Sequence, residues 1–167
     1  MLKLMKLLYL AERRSFEKFG EPMIGDQLVA MPLGPVLSRT YNHMNGELRS
    51  VEGGWESWIS DRADHEVALS DANSIKSPAD DLIALSDADL GVLAETWGQF
   101  GKFDQWQLRD NTHDHCPEWQ DPDGSMIPMK LEKLFSALRF TAEQQQTALE
   151  KLQAQDEINA AFPRANG

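Results

Sequence analysis

The chain has 167 residues, a single cysteine and a formal net charge of −11. That length is ordinary for one domain and suffices to bury roughly 70% of the unfolded chain's surface; a lone Cys116 excludes an internal disulfide, so a reducing cytoplasm is the expected compartment. Residues 1–20 carry five Lys or Arg against two Glu, so they hold +3 and the remainder −14; a nucleic-acid binder needs a broad basic face, which this distribution does not offer, and a cationic protein partner is expected instead.

The first predicted element is a helix over Met1 to Lys18. Met1, Leu2, Leu4, Met5, Leu8, Tyr9, Ala11, Phe16 and Phe19 share one face at helical spacing, and Lys3, Lys6, Arg13, Arg14, Glu17 and Lys18 share the other. Gly20 and Pro22 supply the stop. Leu7 and Leu10 fall on the charged side, which predicts a central helix packed on more than one side. The apolar run Leu7–Ala11 ends at Glu12-Arg13-Arg14, too short for a secretion core or a membrane span. Glu12 falls inside the apolar arc, where a carboxylate is costly unless paired. It is expected to form an ion pair or to cap a neighbouring helix start; a pocket acid is the other reading, without a visible partner base.

Ile24 to Met31 reads as a short extended stretch, and Pro35 is placed like the first residue of a helix running through Val36, Leu37, Tyr41 and Met44 to Gly46. Between Glu47 and Leu69 a small hairpin is expected, with a polar turn at Asp61-Arg62-Ala63-Asp64 and a strand from His65. Ser70 to Asp81 carries no apolar period and predicts a mobile surface loop. Ser86 and Asp89 form a capping box ahead of Leu90, Leu93, Trp97 and Phe100, and Asp104 caps a short helix through Trp106 and Leu108. Pro128 is expected to open a helix through Leu131, Leu134, Phe135 and Leu138. A second capping box, Thr141 with Gln144, starts the last helix, which runs to about Ala161. The expected fold is mainly α, a compact helical domain with a small β-hairpin or short-strand element, and the whole chain, 1–167, as one domain.

No phosphate-binding glycine loop, nucleophile elbow, C-x-x-C pair or H-E-x-x-H helix occurs. The segment Asp110 to Glu118 concentrates His113, Asp114, His115, Cys116 and Glu118, the right ligand types for zinc. Adjacent residues on one loop seldom converge alone, however, and His43 and His65 are isolated, so no metal, cofactor or catalytic residue is expected there. A metal-dependent hydrolase built on His113 to Glu118 is the enzyme alternative. A DNA-binding reading would need a basic recognition helix, and the first helix is too apolar to lie in a groove.

Four blocks keep a common order: Leu4-Met5-Lys6-Leu7-Leu8-Tyr9-Leu10-Ala11-Glu12-Arg13, Gly20-Glu21-Pro22-Met23-Ile24-Gly25-Asp26, Ala30-Met31-Pro32-Leu33-Gly34-Pro35-Val36, and Thr112-His113 with Pro117-Glu118-Trp119. Over about residues 3–120 this pattern resembles the Panacea domain, the SocA-like antitoxin family, with a C-terminal helical extension over about 128–162. The resemblance implies a non-enzymatic, mainly helical, cytoplasmic antitoxin of a type II toxin–antitoxin system. Such a protein is encoded beside its toxin and neutralises it by direct binding. The SocA type is a proteolytic adaptor that delivers its toxin to ClpXP, and some relatives are known only as phage-associated proteins. Members usually carry a helical segment ahead of the Lys-Leu-Leu-Tyr helix, whereas this chain begins inside that helix. The residues expected to bind the toxin or to hold the motif together are Lys6, Tyr9, Glu12, Arg13, Arg14, Gly34, Pro35, Val36, His113 and Trp119. Lys6, Arg13, Arg14 and Lys18 are expected to project as a basic recognition strip, with the Ser70–Asp81 loop as the other candidate contact.

Overall fold

The computed structural model describes residues 1–60 and 66–161. Helix α1 (Leu2–Phe19) ends where Gly20 takes a left-handed φ of 71° and returns its N–H to the Phe16 carbonyl. α1 packs against three other helices and a strand, with Met5, Tyr9, Leu10, Ala11 and Phe16 all buried. The expectation of a central helix is met, Leu10 included.

Strands β1 (Leu28–Met31) and β2 (Gly34–Leu37) form an antiparallel hairpin across the two residues Pro32 and Leu33. β3 (Ile127–Pro128) adds to the other side of β1, giving the order β2-β1-β3. Pro35 and Pro128 therefore both lie in strands, not at helix starts as the sequence suggested. Each sits on an edge strand, where the missing N–H breaks no ladder between two neighbours. Helix α2 (Ser38–Asn45) begins only after β2.

The hairpin expected after Glu47 is replaced in part by a one-turn helix, α3 (Trp55–Trp58). An antiparallel bridge joins Ile59 to Leu69, while the expected turn at residues 61–64 and His65 lie outside the described residues. The predicted loop from Ser70 holds another one-turn helix, α4 (Pro78–Asp81).

Three predicted caps are present. Ser86 and Asp89 close the start of α5 (Asp87–Phe100), and Asp104 with Gln107 closes α6 (Gln105–His115). Thr141 and Gln144 exchange the same pair of hydrogen bonds at α8 (Ala142–Ala161). α6 is longer than expected and takes in His113 and His115. α7 (Leu131–Ala137) brings Phe135 edge-on to Phe16 at 5.6 Å and stacked on Phe140 at 5.2 Å. Through Ala148, Leu149 and Leu152, α8 joins the same hydrophobic core as α1, the sheet and α6. No helix among the described residues is long and apolar enough to cross a membrane.

Candidate functional site

Lys6, Tyr9 and Arg13 are spaced three and four residues apart, so α1 presents them on one face. That face meets β2 and the C-terminal end of α6. It is a buried polar seam inside a predominantly apolar core.

At one end of the seam Lys6, fully buried, donates from Nζ to the Pro35 carbonyl at 2.9 Å. The backbone beside it must be glycine. Gly34 has φ +98°, and a methyl group there would stand 2.8 Å from Lys6 Nζ, 2.8 Å from Thr112 Oγ1 and 3.3 Å from His113 Cδ2. At Gly34, β2 thus lies close against side chains of both α1 and α6. Burial pushes the Lys6 ammonium down to about 7.

At the other end Tyr9 donates its hydroxyl to Glu118 Oε1 at 2.5 Å, and Arg13 Nε donates to the same oxygen at 2.7 Å. The Glu118 side chain is 0% exposed and that of Arg13 17%. A carboxylate so placed would be costly without these two partners. Burial, helped by Cys116 and Glu118, raises the Tyr9 phenol well above its ordinary range. Burial likewise lifts the Cys116 thiol to about 12. Neither group ionises at neutral pH, and the thiol is not a nucleophile there.

His113 stacks on Trp119 with ring centroids 4.1 Å apart and planes within 5°. The Trp119 indole N–H donates to the Met31 carbonyl at 3.1 Å, tying the chain after α6 to the end of β1. Burial, then the charges of Lys6 and Arg109, lower the His113 pKa and favour a neutral ring. His113 Nε2 and Glu118 Oε2 are buried and make no hydrogen bond within the described residues.

Among the expected site residues, Lys6, Tyr9, Arg13, Gly34, Pro35, His113 and Trp119 come together here. Glu12 does not. It points to the other side of α1 and accepts three backbone N–H groups, from Met23 at 2.9 Å, Ile24 at 2.8 Å and Gly25 at 2.8 Å. It caps a turn rather than a helix start. Its pKa rises because burial outweighs those three bonds. Val36 is a core residue of β2.

The exposed basic strip is not observed as such. Lys6 is inside the protein and Arg13 is mostly covered, because the charged side of α1 faces other elements instead of water. Arg14 and Lys18 do lie at the surface, where both pair with Glu95 on α5, at 3.1 and 2.6 Å, and Arg14 also bonds Gln99. Nor is His113 to Glu118 a free loop with converging ligands. His113 is stacked, His115 turns back to the Asn111 carbonyl, and Glu118 is held by Tyr9 and Arg13. Among the described residues no three His, Cys, Asp or Glu side chains are grouped to hold a metal.

Sequence reasoning missed Thr112 at the Gly34 contact and the role of Glu118 as the acceptor that joins α1 to the segment after α6. The only available signal was the adjacency of Glu118 to Pro117 and Trp119, since nothing local marks that carboxylate as buried.

All four sequence blocks therefore meet on α1: three in this seam, and the second through the Glu12 cap of residues 23–25. A family model described as antitoxin SocA-like, Panacea domain, matches residues 4–120, more than two thirds of the chain. The chain belongs to that family. No curated protein and no solved structure matches it. In this Panacea domain the family-matched region contains all but the first two residues of α1, the β1–β2 hairpin and α5–α6, and it closes at Gln120, one residue past Trp119. β3, α7 and α8 lie beyond it and complete the sheet and core.

Proposed function

We propose that this protein is the antitoxin of a type II toxin–antitoxin pair and neutralises its toxin by direct, stoichiometric binding. The observation that carries the reading is the family match over residues 4–120. The chemistry of the seam agrees with it. Lys6, Tyr9 and Arg13 hold α1 to β2 and to the segment after α6, the thiol and phenol stay protonated, and one oxygen of the Glu118 carboxylate takes both donors. Such a seam builds a rigid scaffold for recognition and not a reaction centre.

The toxin is a cationic protein on this reading, since the antitoxin carries −11 and opposite potentials accelerate encounter. It is the product of an adjacent gene. Delivery of the bound toxin to ClpXP is part of the same proposal, with the antitoxin acting as adaptor. Calorimetric titration of the purified product of the adjacent gene with this protein tests the binding step. A saturable complex of fixed stoichiometry supports the reading, and no heat at micromolar concentrations contradicts it. A toxin half-life that is equal with and without ClpXP, in cells that contain the antitoxin, removes the adaptor role alone.

A further inference from the structure

The turn end of the sheet leaves several large apolar side chains in solvent. Leu33, in the β1–β2 turn, is 47% exposed, Met126 is 46% and Ile127 on β3 is 49%. The register puts them at one end of the sheet: Met31 pairs with Gly34 beside the turn, and Ala30 pairs with Ile127, the residue after Met126. Trp119 borders the same place, because its indole donates to the Met31 carbonyl. Singly exposed apolar residues are ordinary, but several gathered on one rigid corner mark an interaction site.

The charge around this corner is mainly negative. No Lys or Arg occurs between Arg109 and Lys130, while four exposed aspartates do, at 110, 114, 121 and 123. Asp110 is tied to Arg109 at 2.6 Å. Asp121 and Asp123 lie in the turn that leads into Met126, with Asp121 Oδ1 accepting the Asp123 N–H at 3.0 Å, and Asp121 acts electrostatically on His113. Two exposed lysines follow, Lys130 just after β3 and Lys133 on α7, the latter held by Gln120 at 3.0 Å.

We propose that this corner, centred on Leu33, Met126 and Ile127 and rimmed by Asp121 and Asp123, is the surface that docks the toxin. The proposal rests on the antitoxin reading above and deepens it. The occupant fitted to it is a cationic protein face with an apolar centre: the apolar residues supply the desolvated core of the contact and the aspartates steer the partner and fix its orientation. The support beneath is rigid, because Trp119 is stacked on His113 and Gly34 is pinned against Lys6 and Thr112. Little is then spent on ordering the surface when it binds.

The test titrates the product of the adjacent gene with three forms of this protein: wild type, the double variant Leu33→Asp/Ile127→Asp, and the double variant Asp121→Asn/Asp123→Asn, which keeps the local acceptor. The first variant should lose at least about tenfold in affinity with its Tm within a few degrees of wild type. The second should associate several-fold more slowly at low salt and match wild type at high salt. If wild type binds and both variants bind as it does, the corner is overturned and the antitoxin reading stands. If the first variant fails to fold, the association rate of the second decides in the same way. If wild type itself does not bind, both readings fall.

Discussion

Tyr9 and Glu118 are 109 positions apart, yet the Tyr9 hydroxyl stands 2.5 Å from the Glu118 carboxylate, and Arg13 reaches the same oxygen at 2.7 Å. This junction fastens the start of the family-matched region to its end. Removing Arg13 alone leaves a buried carboxylate with one neutral donor. Arg13→Met should therefore cost about 3 kcal/mol in denaturant unfolding, and the double variant Arg13→Met/Glu118→Leu should recover most of it. Equal loss in single and double variants would show that the pair is not the source of the cost.

The same burial changes what charge reversal on α1 means. Arg13→Glu should lower stability sharply because it sets two carboxylates together, whereas Arg14→Glu replaces an exposed partner of Glu95 and should leave the Tm nearly unchanged. Thermal melts of the two single variants separate these outcomes; similar Tm values would contradict the burial of Arg13.

Gly34→Ala is expected to be among the most damaging small substitutions in the chain. It places a methyl group within 2.8 Å of Lys6 Nζ and Thr112 Oγ1 at a positive φ, for a cost of at least about 2 kcal/mol. Pairing it with Lys6→Ala and Thr112→Ser relieves one of the two contacts and none of the backbone strain, so stability measurements should show partial rescue only. A Gly34→Ala variant as stable as wild type would refute this packing. Pro35→Ala should cost under about 1 kcal/mol, chiefly through the unfolded chain, because its carbonyl still serves Lys6.

How much of this was legible in the sequence depended on the range of each signal. The caps at Ser86, Asp104 and Thr141 are exchanges within three residues, and all three are found where the local pattern put them. Pro35 and Pro128 announce only a fixed φ and a missing N–H, properties that suit a helix start and an edge strand equally; neighbours in space chose the strand. Lys6 and Arg13 lie on the polar side of the α1 wheel, and the wheel cannot say that this side faces α6 and β2. Their partners, Pro35 and Glu118, are 29 and 105 residues away.

Lys6 also gives the protein a pH signature. Burial holds its ammonium near 7 against an ordinary 10.5, so between those values the unfolded chain binds the proton more tightly and stability rises with pH. Cys116 works in the opposite sense, but only above its ordinary 9.0, since its folded value is about 12. From pH 7 to 9 the wild type should therefore gain on the order of 2 kcal/mol, and Lys6→Met should be flat across that window in denaturant melts. A parallel slope in the variant would assign the pH dependence elsewhere.

Glu12 serves the turn after α1, and its replacement should act locally. Glu12→Ala removes the acceptor of three N–H groups, at the half-buried Met23 and the exposed Ile24 and Gly25, costing about 1–2 kcal/mol. Hydrogen exchange should quicken first at those three amides. Exchange that stays slow there would contradict the cap.

The central claim is neutralisation by direct binding, and growth reports it most directly. The adjacent gene is induced in cells that do or do not express this protein. The account predicts arrested growth without it and restored growth with it, and loss of restoration in the Leu33→Asp/Ile127→Asp variant at equal protein level. Growth that stays arrested with both proteins present and folded would contradict the account.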